Sequence, residues 1–437
     1  MSAYILVYSH KESSRLQYTL NFFLKELCGF EFRFTLKAHE FRSYDGPKIN
    51  YSDKLLDNEF FVYSENLLFK KGIEDQDLNI FYWDNLPAFF ATHPKYDIPF
   101  DVFAATFFMV SRYEEYLPHV RDQHDRYIAQ NSFAHTHNFL HLPLVDLYAM
   151  KFQKMILQKY PNLPYKKRNY KYISSLDIDN AYAFLEKGFM RTGGAFLRSL
   201  LKFDLADIKE RLSVISGKTQ DPYDTYDYQL DIMKKYNLKV LYFILLGKYG
   251  ENDKNVPIEN RKFQSLIKSL ADYADVGIHP SYGSNKEPDR LKKEINHLSK
   301  ILRRDIYQSR QHFLKIRLPE TYRKLIEHDI TDDYSMGYAN EVGFRAGTCS
   351  SFLFYDIDQE KETNLRVHPF GVMDATLKYY MKIEPDQALS HIIPMIDQVK
   401  KVNGTFISLW HNESLSERRD WKGWSTVYEQ MVEYATK

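Results

Sequence analysis

Cysteine is nearly absent: only Cys28 and Cys349 carry a thiol in 437 residues, and they match no metal or redox spacing. That excludes a disulfide scaffold and a cysteine-built metal site, and it agrees with a reducing compartment. A charge of one sign is lacking too. Lys and Arg number 59 against 58 Asp and Glu, a net charge of +1 with no long basic block. The chain therefore carries no overall electrostatic footprint for nucleic acid or an anionic membrane. The longest apolar runs, 240–246 and 107–110, fall far short of the ~18 residues needed to span a bilayer. The opening stretch Met1–His10 has no basic n-region, so it reads as a buried first strand and not a secretory signal; the expected compartment is the cytoplasm. No feature bears on oligomeric state.

Aromatic residues are plentiful: 34 Tyr, 31 Phe and 4 Trp make 16% of the chain. Such rings stack on sugar faces, but they fill cores more often. At about 150 residues per domain the length suggests two or three domains. Short β-type runs at 3–8, 30–35 and 79–83 alternate with helical ones, among them 14–28, opened by Ser13 and closed by Gly29. The pattern 99–116 is apolar on too many sides for a surface helix, so it is expected between two parts of the molecule. The proline-marked basic stretch 161–169 reads as a linker, placing a boundary between 1–165 and 166–437. Beyond it, β-runs at 172–177, 239–245, 275–278, 306–311, near 334 and 405–410 alternate with helices at 258–273, 288–302, 320–328, 385–402 and 426–434. That alternation predicts a parallel sheet or barrel of β-α units.

Several of these strands end in polar residues: Asp177 and Asp179, His279, Arg310 and His312, and His411. In a barrel of parallel strands the site forms at the carboxyl ends, so the set describes a candidate metal-hydrolase site. Each residue alone has a plainer reading. Asp-x-Asp caps a helix or turn, or holds a metal–diphosphate in glycosyltransferases, and a lone His or Arg is usually structural.

The strings 175–180, 277–282, 309–314, 333–337, 343–348 and 408–414 resemble the polysaccharide deacetylases of the NodB-homology type, carbohydrate esterase family 4. They are most similar to a divergent bacterial branch with an extra N-terminal domain of unassigned function, which 99–101 and 111–116 resemble. The fold this implies is α/β, with a smaller N-terminal α/β domain before a distorted (β/α) barrel. The implied activity is metal-dependent removal of an acyl group, in the first instance acetyl, from an amino sugar or glycan intermediate.

Carried over residue by residue, the resemblance makes Asp177 the base and Arg310 the arginine beside it, favouring its ionised form. Asp179 and His279 become ligands to a divalent metal, zinc foremost, and His411 becomes the acid that protonates the leaving amine. The family's second ligand His is missing, since Gly283 stands four residues after His279; His312 is the substitute the sequence offers. Asp374 or Asp333 is expected to orient His411, and the Phe313 N–H to stabilise the oxyanion. Arg345 would bind a substrate anion or brace a loop, and Trp410, with Trp421 and Trp424 near it, and Tyr282 would contact sugar. His135, His137 and His141 look like a metal cluster by composition only, and are read as structural. Arg112, Glu114 and Glu115 are expected at the barrel rim. Two other readings stand beside this one: a relative that keeps the sugar groove but has lost metal, and a glycosyltransferase. Neither a nucleic-acid partner nor a membrane span is expected.

Overall fold

The computed structural model describes residues 4–437. The N-terminal part holds a parallel four-stranded sheet, ordered β2 (Phe32–Thr35), β1 (Ile5–Ser9), β3 (Lys48–Ser52), β4 (Phe60–Tyr63), and a small antiparallel pair, β5 (Phe81–Trp83) and β6 (Leu86–Ala88). Residue 3 of the first expected strand lies outside the described residues. The helix expected at 14–28 is capped by Ser13, whose Oγ accepts from the Leu16 N–H at 3.0 Å. It runs as an α-helix to Leu20 and as wider π turns over Asn21–Leu27. Strands β3 and β4 and the helix Leu144–Lys159 were not expected from sequence.

A larger sheet follows. Its order is β12 (Phe352–Asp356), β13 (Lys361–Val367), β11 (Asp332–Asp333), β10 (Gln308–Ser309), β9 (Asp275–His279), β8 (Lys239–Leu245), β7 (Lys171–Ile178), β15 (Thr405–His411) and β14 (Val372–Met373). All neighbours pair parallel except β12 with β13. β8 reads Lys-Val-Leu-Tyr-Phe-Ile-Leu and is buried from its second residue on, as a strand covered on both faces must be. The β12–β13 hairpin gave no sequence signal, because the polar Lys361–Asn364 stretch hides its alternation.

This sheet cannot be flat. In a flat sheet β13 and β14 would stand roughly 34 Å apart at ~4.8 Å per strand step. Yet Val367 ends β13 and Val372 begins β14, and five residues reach at most about 18 Å. The connecting segment hydrogen-bonds to both sides: the His368 N–H donates to the Asp333 carbonyl and the Gly371 N–H to that of Ile407. The sheet is therefore curled, and the carboxyl ends of its parallel strands converge.

The two parts share one apolar core that includes Ile5, Phe107, Trp410 and Ala435. The helix Val102–Val110 is buried at every position, with Asp101 accepting from the Phe103 and Ala104 N–H groups at 3.1 and 2.9 Å, a standard N-cap. Its Phe107 ring meets Tyr355 of β12 edge-on at 5.2 Å, so it does lie between the two parts. The residues after it correct one expectation. Arg112, Glu114 and Glu115 do not reach a rim but are buried: Arg112 binds Glu114 and Glu115 at 2.7 and 2.8 Å, and Glu115 binds Arg345 at 2.6 Å. Burial opposes ionisation of Glu115, but Arg345 and Arg112 outweigh it and hold its carboxyl down to about 2. Glu115→Ala would leave the buried Arg345 guanidinium without a carboxylate and Arg112 with Glu114 alone, so a loss of about 3–5 kcal/mol is expected, read as a lower urea midpoint.

Candidate active site

Five strand ends of the curled sheet deliver the site. Asp177, the next-to-last residue of β7, is buried, and Arg310, one residue past β10, donates from Nη1 to its Oδ1 at 2.9 Å. The same guanidinium donates to Ser175 Oγ at 2.8 Å and to the Tyr334 carbonyl at 3.0 Å, and lies over the Phe243 ring. Arg310 is thus fixed on every side, and the Asp177 carboxylate with it.

Asp179 sits one residue beyond β7, and the rings of His279 and His312 converge on its carboxylate. His279 Nε2 lies 3.1 Å from Oδ1, and His312 Nε2 lies 3.3 Å from Oδ2. One ligand-type atom from each of the three residues falls within 4.8 Å of the others. The far side of each ring is pinned. His279 Nδ1 donates to the Arg310 carbonyl at 2.6 Å, and His312 Nδ1 to Asp253 at 2.9 Å. A carbonyl only accepts, so Nδ1 of His279 carries a proton, and Nε2 is the ring atom turned toward Asp179.

A divalent metal fits this cluster. Asp179 Oδ1 is buried without a hydrogen-bond partner, so acceptor atoms converge where a cation satisfies them. A carboxylate behind a ligand histidine is the usual supporting arrangement. Burial opposes ionisation of Asp179, but the His312 and His279 rings hold its carboxyl well below the usual range. Burial likewise disfavours a charged His312, yet Asp179 and Asp253 push it up to about 9.

His411, at the end of β15, faces the cluster from the other flank, with Nε2 3.7 Å from Asp179 Oδ2. Asp374, just past β14, accepts from its Nδ1–H at 2.8 Å and from its backbone N–H at 2.9 Å. Burial opposes the imidazolium, but Asp374, then Asp179 and Asp177, raise its pKa well above the ordinary value. Asp333, the other candidate to orient His411, instead accepts from Ser309 and Ser335 at 2.8 Å.

The cluster opens into a cavity of about 200 Å³, walled in part by Phe313, Tyr379, Tyr380, Trp421, Glu413 and Arg126. Phe313 and Leu314 both have left-handed backbones, at φ 60 and 52°, a strain that concentrates at functional sites. Arg126 reaches in from the N-terminal part, donating to the Phe313 carbonyl at 2.9 Å and to the Tyr380 hydroxyl at 3.0 Å. Burial pushes Glu413 up to about 7, against the opposing pull of His411.

Three expected substrate contacts are not brought to this cavity. Arg345 is buried and spent on Glu115, bracing the structure. Trp410 is fully buried against Trp424 and Tyr428, because its side chain falls on the opposite face of β15 from His411. Tyr282 packs its ring on Phe313 just outside the wall. At Gly283 a Cβ would stand 2.0 Å from an Arg290 nitrogen, so a side chain there would require the Arg290 guanidinium to move. Asp253, Glu413, Tyr379, Tyr380 and Arg126 were missed. Asp253 and Arg126 lie in loops outside the motif strings, Tyr379 and Tyr380 end the helical turn after Asp374, and Glu413 lies within the string 408–414 but has no role there that the string itself signals. Among the described residues the Asp179 cluster is the single candidate metal group, so His135, His137 and His141 form none.

Residues 5–161 match the model of a family of unknown function, DUF7033. No curated protein matches the chain. Among solved structures it is similar to a putative polysaccharide deacetylase from Mycobacterium smegmatis, with 14% identity over 62% of this chain and 85% of that one and a TM-score of 0.40. It is also similar to a probable polysaccharide deacetylase from Pseudomonas aeruginosa, with 11% identity over 64% and 90% and a TM-score of 0.37. A third is a CE4 family pseudoenzyme from Bacillus anthracis, with 13% identity over 61% and 62% and a TM-score of 0.27.

Proposed function

We propose that this chain is a metal-dependent N-deacetylase acting on an acylamino sugar. The observation that carries the reading is the convergence of Asp179, His279 and His312 on one point, with Asp177–Arg310 on one flank and His411–Asp374 on the other. In this reading 166–437 form a distorted (β/α) barrel, 1–165 form a smaller α/β domain closing part of the cavity, and the reaction runs in the cytoplasm on a glycan precursor.

Asp179, His279 and His312 would hold the cation, zinc foremost. When bound, such an ion would supply Lewis-acid polarisation of the acyl carbonyl and of the attacking water. Asp177, held ready by Arg310, takes the proton of the attacking water. The Phe313 N–H supports the oxygen on which charge develops. His411, oriented by Asp374, gives its proton to the nitrogen as the C–N bond breaks, so that a free amine and a carboxylic acid leave. The cavity's volume suits one sugar ring, with Tyr379, Tyr380 and Trp421 as its aromatic wall.

Metal analysis of the purified protein, followed by acetate release from soluble acetamido sugars, tests the reading. About one metal per chain and chelator-sensitive acetate release are expected. Metal-free protein would favour the sugar-binding relative without activity, and release from polymeric chitin alone would overturn the precursor substrate.

A further inference from the structure

Between β7 and β8 the chain inserts two helices, Phe189–Leu201 and Leu205–Ile215, that leave their apolar side chains in solvent. Phe189 is 94% exposed, Met190 88%, Phe203 86% and Leu201 72%. Phe189, Met190, Leu197 and Leu201 recur at helical spacing and form one stripe, and the exposed Leu205 and Leu212 continue it on the second helix. The helices are nonetheless packed together: Ser199 Oγ donates to Asp207 at 2.7 Å, and the Arg211 guanidinium lies over Phe196. A patch of this kind marks an interaction surface.

Its charges say with what. Asp204, Asp207 and Glu210 are neutralised within the protein, by Arg419, Arg211 and Arg418. Arg198, Lys202 and Lys209 are exposed around the stripe and have no carboxylate partner among the described residues. The outward face is thus apolar and basic, although the whole chain is nearly neutral. A second copy would set basic residues against basic ones across a two-fold axis. An anionic lipid surface complements both properties. Among the described residues no helix is long and apolar enough to cross a membrane, so the hairpin would lie in the interface and not span it.

We propose that this hairpin is a membrane-surface anchor that docks the protein on anionic lipid. It is tied to the site: Arg418, which holds Asp207 at 2.9 Å and Glu210 at 3.0 Å, lies in the segment that carries Glu413 and Trp421 into the cavity wall. Resting on the deacetylase reading, the substrate class that follows is an acylamino sugar on a lipid carrier, presented at the bilayer to the cavity.

Flotation of the full chain with phosphatidylglycerol-containing vesicles, with pure phosphatidylcholine vesicles, and alone in sizing experiments tests the anchor. Binding to the anionic vesicles, weakened by salt, is expected. The charge variant Arg198→Gln/Lys202→Gln/Lys209→Gln should weaken it by about two orders of magnitude, at roughly fivefold per basic residue removed. The variant Phe189→Asp/Leu201→Asp/Phe203→Asp should abolish it. These side chains are exposed, so circular dichroism and acetate release from soluble sugars should be unchanged. Absence of vesicle binding, binding that ignores both variants, or a dimer that the apolar variant dissolves would overturn the anchor. Failure of the hydrolase reading shows separately, as missing metal or acetate release in protein that still floats.

Discussion

Asp177→Asn should leave stoichiometric metal in place and lower acetate release by about a thousandfold, within the range that general-base catalysis contributes. The amide preserves the shape and still offers an oxygen to Arg310 Nη1, which lies 2.9 Å from the present carboxylate. The guanidinium keeps Ser175 and the Tyr334 carbonyl as further partners, so the fold should survive, and a melting curve recorded alongside checks this. What the variant cannot do is accept a proton at neutral pH. Loss of metal together with activity would make Asp177 a ligand, and undiminished turnover would move the base elsewhere.

His279→Ala should abolish stoichiometric metal binding, measured by elemental analysis after desalting, because it removes one of the three converging atoms. His312→Ala should do the same. The informative companion is the double variant His312→Ala/Gly283→His, which returns a histidine to the position where the resembling family has its second ligand. It should not recover metal. A Cβ at residue 283 stands 2.0 Å from the Arg290 side chain, and Arg290 is itself held by Glu287 and Glu294 at 3.1 and 3.3 Å. Recovery of metal would show that the loop yields and that the third position is open to either residue.

Legibility in the sequence followed chemistry and strand order. Asp177, Asp179, His279, Arg310 and His411 each end or follow a β-type run, and parallel strands bring such ends together without any knowledge of the loops between. His312 was reachable by the same logic, being two residues past Arg310. Asp253 was not, because it lies on the loop after β8 and reaches the cluster through the His312 ring, besides accepting from the Tyr282 N–H. Arg126 was hidden for a similar reason: 187 residues separate it from the Phe313 carbonyl it binds. Trp410 misled because side chains alternate along a strand, so the neighbour of a site residue points into the core. Arg345 misled because a charged residue in a motif-like string reads as functional until its buried partner is known. In the fold, uniformly apolar runs such as β8 were plain. The two-residue strands β10, β11 and β14 owe their pairing to neighbours, and the helices 189–215 look ordinary by composition until their exposure is seen.

The ion cluster of Arg112, Glu114, Glu115 and Arg345 decides what counts as a part of this molecule. A chain divided in the proline-marked stretch would send Glu115 to one fragment and Arg345 to the other. Each fragment would then expose an apolar surface and an uncompensated charge that the intact protein keeps dry. Arg126 would leave with the first fragment, and with it a wall of the cavity. The N-terminal third is therefore not an accessory that can be exchanged while the remainder carries on. Its core and its charges are shared with the part that carries the site, and a substitution in it at Arg126 or Glu115 belongs among those that alter the chemistry or the stability of the whole.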